Sequence, residues 1–558
     1  VSHDLRPASR RLSRYLPSRT DYTGLRQSWR ADLLAGITVG IVALPLALAF
    51  GVSSGVGAEA GLITAIVAGL VASVMGGSPV QVSGPTGAMV VVLAPVVAVH
   101  GTGSVALLSV MAGLLVCILG ISGLGRAVAF IPWPVVEGFT LGIAAIIFLQ
   151  QVPLATGTSG IPGHNTLLAA IESASRAAPP TVLLTLALVA GVAVVMILVQ
   201  KLFRALPASL LAVLLATSAA ELLQLDIPRI GPLPHSLPSP TFPALDLDSL
   251  GSLAMPAVAI ACLAAIESLL SARVAAGMRG PDGTPNSAYS PDRELTGQGL
   301  ASVAAGLFGG MPATGAIART AVNVRSGAKT RLAAAIHAVV LLGIVYLASG
   351  MVSRIPLAAL GGVLMVTAAR MVSRRTVAAI LRSTRSDAAV FIITALITVA
   401  FDLIVAIQIG LAAAALFTLR KFASLSSVQR EEVSGPRAEG DEHIAIFRLD
   451  GAMFFGAAER ILQEISQVKD IQVAIIRLSQ LRMLDATGAH ALVEVISALE
   501  LRGITVLLKG VRPDHLAVVT NVGVIRSLRH HKHLFTDLPA AVAHARSHVR
   551  RNAAAASA

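Results

Sequence analysis

The sequence predicts an all-α polytopic membrane protein of 14 segments, arranged as a 7+7 inverted repeat with two half-helices and followed by a small C-terminal α/β domain. Three observations predict it. Hydrophobic residues make up 55% of the 558 and charged residues only 13%, against roughly 25% charge in a soluble domain. The deficit is uneven: residues 31–419 are a succession of apolar runs, whereas residues from 421 onward read as ordinary soluble protein. Within the apolar region, two pairs of Gly/Pro clusters recur seven segments apart.

Residues 1–30 carry seven arginines and no short apolar stretch with a cleavage site, which reads as a cytoplasmic leader and not a signal peptide. A membrane helix needs about 20 apolar residues, fewer if it is broken or packed inside protein. Candidate segments run 31–50, 58–76, 85–99, 104–122, 134–151, 180–200, 206–223, 251–274, 295–308, 315–327, 330–350, 357–371, 386–401 and 403–420. With 14 spans and the N-terminus inside, 23 basic residues before the tail fall on the cytoplasmic side and three, Arg176, Arg229 and Arg354, outside. One span added or removed near the middle would destroy that split. The expectation is therefore a plasma (inner) membrane protein with both termini in the cytoplasm.

The same distribution accounts for a net charge of +13 and a pI near 10.7 without nucleic acid. The bases lie between hydrophobic segments, and aromatics are only 4%. Cys117 and Cys262 both lie in apolar runs, offer neither a disulfide framework nor metal spacing, and read as buried core residues.

The repeat is visible in the punctuation. Gly76-Gly77-Ser78-Pro79 precedes the third segment and Gly309-Gly310-Met311-Pro312 the tenth; Ile131-Pro132 with Gly138 opens the fifth, and Ile355-Pro356 with Gly362 the twelfth. An odd offset inverts the second copy in the membrane, giving repeats at about 31–225 and 251–421. Paired, short, Gly/Pro-interrupted segments point to a transporter's binding site. The third segment opens at Ser83-Gly84-Pro85-Thr86-Gly87 and the tenth at Pro312-Ala313-Thr314-Gly315-Ala316. As half-helices, they would meet N-terminus to N-terminus near the midplane. Each would bring about +0.5 of a charge and unpaired N–H donors, a pair of tips that attracts an anion.

Arg319 sits one turn into the second half-helix, where a guanidinium fork suits an oxyanion or an ion pair with Glu267. Glu267 lies mid-span with Ser271 at i+4, placed to bind Na+, to take a proton, or to serve as the counter-ion of Arg319. Glu137 reads as an interfacial or inter-helix contact and Asp402 as a solvated turn residue. No catalytic constellation appears, so a carrier is expected and not an enzyme, with no cofactor beyond a coupling Na+.

Ala43-Leu44-Pro45-Leu46-Ala47-Leu48-Ala49-Phe50-Gly51, the Ser83–Gly87 stretch, Gly309–Thr320 and Leu484-Asp485-Ala486-Thr487-Gly488 together resemble the SulP family of sulfate permease-related anion transporters. The resemblance runs from about Asp32 to His548. It implies a core domain moving against a gate domain, homodimers, and an anion site between the third and tenth segments, here Thr86, Gly87, Gly315, Ala316 and Arg319. The first span is most similar to cyanobacterial sodium-dependent bicarbonate transporters, whose pattern implies a Na+ site at Glu267, Ser271, Thr86 and Gly315. Two positions depart from that pattern: Glu267 replaces an Asp, and Ile317 a hydroxyl residue. Arg319 matches the arginine of the family's animal anion exchangers. Bicarbonate and sulfate both stay open as substrates, as do a dicarboxylate or other organic anion in a carrier of the same fold and, in another class, a membrane sensor signalling through its tail.

After a linker at 422–441, residues 442–549 alternate strands and helices: His443–Leu449, Ala452–Phe455, Gln472–Leu478, a helix from about Asp485, then Thr505–Leu508. This domain resembles the STAS module, which implies a cytoplasmic regulator as partner. Thr487 matches the phosphorylatable hydroxyl of related proteins, although Asp485 or Thr487 as a helix N-cap is the plainer reading. The Arg529-His530-His531-Lys532-His533 run is expected to be a solvated basic loop, because no acid or Cys completes a metal site. Residues 550–558 are expected to be disordered.

Overall fold

The computed structural model describes residues 15, 17, 19–125, 132–158, 166–176, 179–203, 206–233, 236–243, 247–281, 283, 289–400, 403–424, 427–433, 436, 438–453 and 470–556. Asp402 and the expected helix after Phe455 lie outside them. The chain divides into two compact units, Val1–Leu411 and Ala412–Ala558.

Among the described residues, fourteen main helical segments stand where hydropathy marks them. They are α1 Leu25–Ser53, α2 Ala58–Met75, α3 Gly87–His100, α4 Ser104–Ile121, α5 Trp133–Gln150, α6 Pro179–Leu202 and α7 Ala208–Leu222 in the first repeat. The second repeat holds α8 Leu247–Gly277, α9 Pro291–Leu307, α10 Ile317–Arg325, α11 Arg331–Val352, α12 Leu357–Met371, α13 Arg385–Ala400 and α14 Leu403–Ser424. The two copies match locally: Pro132 caps α5 at φ −64°, ψ 140° and Pro356 caps α12 at φ −66°, ψ 136°. Proline's fixed φ and missing N–H suit a helix entry, so equivalent sequence marks produce equivalent starts.

The third and tenth segments are broken. Their helices have 14 and 9 residues, about 21 and 14 Å at 1.5 Å per residue, short of a hydrocarbon core of ~30 Å. Ahead of each, the chain is extended, as β1 Ser83–Gly84 and β2 Thr314–Gly315. The two strands pair antiparallel, Ser83 opposite Gly315 and Gly84 opposite Thr314. Non-helical backbone at this depth must find internal hydrogen bonds, and each broken segment supplies the other's.

Packing sorts the helices into two groups. In one, α4 lies on α9, α9 on α2 and α11 on α1; in the other, α5 lies on α13 and α6 on α12. Small residues bring the first group close: a Cβ on Gly61 of α2 would stand 2.1 Å from the Ala47 carbonyl oxygen of α1. Two buried carboxylates tie its loops. Asp32 accepts from the Lys329 and Thr330 amides at 2.8 and 3.0 Å, which fixes the entry to α11. Glu294 accepts from the Gly77 and Ser78 amides at 2.7 and 2.8 Å, which fixes the turn after α2. Cys117 is buried as expected, but Cys262 is exposed, because it lies on the face of α8 that its neighbouring helices leave uncovered.

In the second unit, β3 Ser427–Glu431 runs antiparallel to β4 Ile444–Met453, which is followed in parallel by β5 Val473–Arg477, β7 Thr505–Lys509 and β8 Leu534–Phe535, while β6 Leu481–Leu484 pairs with the far end of β4. α15 Ala486–Leu501 and α16 Pro513–Val522 contribute Leu492, Val495 and Val519 to one apolar cluster; α17 Leu538–Ala556 contributes Ala541, Val542 and Val549 to another.

Four expectations are corrected here. The expected linker contains β3, a largely polar edge strand that only its partner reveals. The strands expected at 443–449 and 452–455 are one strand through Met453, because Gly451 takes a positive φ and a register shift between Gly451 and Ala452 keeps the ladder continuous. Helix continues through Ala556 where disorder is expected, consistent with the high helix propensity of its closing alanines. His533 is buried, and so is no part of a solvated loop, because it packs against His544 and His548 of α17.

Candidate functional site

Glu267 stands midway along α8, half-buried, facing the paired strands. Thr86 Oγ1 donates to its Oε2 at 2.8 Å, and Thr314 Oγ1 donates to the same oxygen at 3.0 Å. One hydroxyl comes from each broken segment. The two hydroxyl oxygens are themselves 3.3 Å apart. Concentrating both donors on Oε2 leaves the other carboxylate oxygen for a further partner.

The half-helix tips frame this carboxylate. Thr86 is the N-cap residue of α3 and Ala316 that of α10, and no side chain caps either. First-turn amides are therefore left to a ligand or water. Gly87 begins α3 so close to α5 that a Cβ would meet Ile147 Cδ1 at 2.2 Å. At Gly315 the approach is closer still, with a Cβ falling 1.7 Å from Gln81 Nε2. The Gly315 amide donates to Ser268 Oγ of α8 at 3.0 Å, and the Ala316 amide to the Val82 carbonyl at 2.9 Å.

Arg319 is 2% exposed. Its Nη2 donates to the Pro85 carbonyl, while Nη1 is buried without a partner. Among the described residues no ion pair joins it to Glu267. Its guanidinium lies against Gly84, where a Cβ would come 2.7 Å from Nη1. The fork thus clasps the backbone leading into α3 and adds fixed positive charge to that tip.

Thr86, Gly87, Gly315, Ala316, Arg319 and Glu267, the set that the family resemblance implies, lie on or against the paired strands and the half-helix starts. Ser271 is not brought to Glu267: its hydroxyl donates to Thr320 Oγ1 at 3.2 Å, and Thr320 accepts from the Val82 amide at 3.0 Å. Glu137 accepts from Trp133 Nε1 at 3.0 Å on its own helix. Thr314, Ser268 and Thr320 join the site beyond the expected set. A signal for Thr314 exists in the sequence, since a Thr-Gly pair recurs at the entry to each half-helix, at Thr86-Gly87 and Thr314-Gly315. In the second unit, Asp485 is the N-cap of α15, accepting from the Gly488 amide at 2.7 Å, and Thr487 is exposed in the first turn.

Comparison with known proteins carries the same architecture. Residues 29–394 match the Sulfate permease family and residues 435–541 the STAS domain. A Bacillus subtilis protein, YvdB, whose assignment as a sulfate transporter is itself provisional, is 33% identical over 513 residues, covering 90% of this chain and 95% of its own. The bicarbonate transporter BicA of Synechocystis is 30% identical over 505 residues, covering 86% and 88%. The solved transmembrane domain of a cyanobacterial BicA superposes with a TM-score of 0.59 at 30% identity, covering 69% of this chain and 97% of that one. The structure of SLC26A9 shares the fold, with a TM-score of 0.78 at 16% identity, covering 97% and 94%. A family match over well over half of the sequence, on a fold shared along nearly all of it, leaves one assignment: the chain belongs to the sulfate permease family of anion transporters.

Proposed function

We propose that this protein is a secondary active transporter of a small inorganic anion, bicarbonate or sulfate, in which Glu267 carries the coupling cation. The observation that bears most on this is the Glu267 carboxylate held by one threonine from each half-helix, between two uncapped N-termini. The tips and Arg319 attract an anion; a bare carboxylate among them repels it. Neutralising Glu267 with Na+ or a proton removes the repulsion, so the anion binds best when the cation is present. Na+ is a hard ion that takes oxygen ligands, and Glu267, Thr86 and Thr314 offer them within one small volume. A proton would leave the same anion contacts in place.

The two groups of helices supply the moving parts. The half-helices and Glu267 belong to the group built on α1, α2, α4, α8, α9 and α11. Sliding of that group as one body past α5–α7 and α12–α14 would carry the site across the membrane in an elevator-like movement. The positive-inside pattern favours the plasma membrane with both termini cytoplasmic, and the protein is proposed to work as a homodimer. Thr487, exposed at the N-terminus of α15, is a favourable position for a regulatory phosphate.

The test is uptake of labelled bicarbonate and of labelled sulfate by proteoliposomes under imposed Na+ or pH gradients. Accumulation of one anion that requires one of the gradients is expected. Equal uptake with and without either gradient would remove cation coupling, and no flux of either anion would remove the substrate assignment.

A further inference from the structure

The soluble domain holds a second polar cluster that the transport reading does not use. His544 and His548 lie one turn apart on α17, and their Nε2 atoms are 3.2 Å from each other. His533, just before β8, packs its ring at 5.5 Å from both ring centroids. One ligand nitrogen from each of the three rings lies within 4.8 Å of the others. His533 is 1% exposed, and its Nδ1 is buried without a hydrogen-bond partner.

Three imidazoles in contact can satisfy two nitrogens through one N–H to lone-pair bond, here between His544 and His548. That bond leaves the buried Nδ1 of His533 unexplained, and an orphaned polar atom in a domain core is unfavourable by roughly 1–3 kcal/mol. From the geometry we infer that His533, His544 and His548 form a binding site for a divalent transition-metal ion of the zinc class. A tetrahedral Zn2+ with Zn–N of about 2.0–2.1 Å sets its ligand nitrogens roughly 3.3 Å apart, which the His544–His548 spacing already meets. Histidines at i and i+4 are a recurrent way to present two nitrogens on one helix face. The buried, unpartnered Nδ1 of His533 is left free to offer a lone pair to the ion.

The ion would clamp α17 to the segment entering β8. The fourth position falls to water or a small anion. Arg529 and Arg551 lie near enough to act on His548 electrostatically, which favours an anionic fourth ligand such as hydroxide or chloride. All-imidazole ligation suits Zn2+, Cu2+ or Ni2+ over Mg2+ or Ca2+.

The experiment uses full-length protein in detergent micelles, free of any polyhistidine tag and stripped with chelator. It is equilibrated with Zn2+, and bound metal is counted against a chromogenic competitor; Co2+ is added to a parallel sample to read its visible absorption. One Zn2+ per chain and a tetrahedral Co2+ band are expected. His544→Asn and His548→Asn, both on a half-buried helix face, should each weaken Zn2+ by more than the roughly 10–100-fold that loss of an outer-shell partner causes. His490→Asn, at an exposed side chain of α15, should leave it unchanged. The wild-type count guards against a variant that fails to fold: no Zn2+ retained by the wild-type chain overturns the proposal, and so does equal retention by the His544→Asn/His548→Asn double variant.

Discussion

At residue scale, the proposed coupling turns on one carboxylate and the hydroxyls that hold it. Glu267→Gln keeps the shape of the side chain and an oxygen for Thr86 and Thr314, but removes the charge. Uptake should lose its dependence on the cation gradient or cease, as read from the ratio of uptake with and without the gradient; a wild-type ratio would take Glu267 out of the coupling role. Thr314→Val should act in the same direction as Thr86→Val, each removing a hydrogen bond to a charged group worth about 1.5–3 kcal/mol. A roughly tenfold or larger rise in the half-saturating cation concentration is expected for either. If Thr314→Val is silent while Thr86→Val is not, the two halves do not share the carboxylate. Glu267 and Arg319 are legible because a charge stands out against apolar sequence, whereas Thr86 enters through the family resemblance. The partnership with Thr314 in place of Ser271 is not legible, because i+4 spacing says only that two side chains share a helix face, not which neighbour reaches them first.

At element scale, the broken segments depend on buried carboxylates outside the site. Glu294→Ala would orphan the Gly77 and Ser78 amides and take one acceptor from Gln298, whose Nε2 keeps its bond to Ser83 Oγ. At about 1–3 kcal/mol per unpaired donor, thermal unfolding in detergent should fall by several degrees or more. A melting temperature within one degree of wild type would mean that water satisfies the turn. The last helix of the soluble domain is fastened by Arg546, which donates from Nε and Nη2 to the two oxygens of Asp441 at 2.8 Å each. The hydrogen bonds from Arg546 hold the Asp441 carboxyl below its usual value of 3.8. A depressed acid adds stability above its unfolded pKa and loses it as pH falls through the folded one. Asp441→Asn should therefore lower stability at pH 7 and flatten the decline below pH ~4; thermal melts across pH that are identical for the two proteins would refute it. Helix positions were readable from hydropathy and from proline, whose effects are local. The polar strand β3 carries no such mark, since an edge strand is defined by the neighbour it pairs with.

At the scale of the whole molecule, the proposed elevator-like cycle requires one group of helices to move past the other. Ser53, at the end of α1, donates to Gln151, just beyond α5, at 3.0 Å. Cysteines at both positions in a Cys262→Ser background, joined by a short bifunctional thiol reagent, should block uptake without lowering expression. A reducible reagent should give uptake back on reduction; full activity in the joined protein would exclude relative movement there. The inverted repeat and the two broken segments were determined by the sequence itself, because the Gly/Pro marks that interrupt a helix act within a few residues and recur seven segments apart. The pairing of Ser83 with Gly315 and Gly84 with Thr314, the burial of Arg319 against the Pro85 backbone, and the meeting of His533 with His544 and His548 were decided only by tertiary structure. In each, the partners lie on separate elements. Which groups meet depends on how helices and strands pack to satisfy backbone polarity and fill space, and no local pattern encodes that.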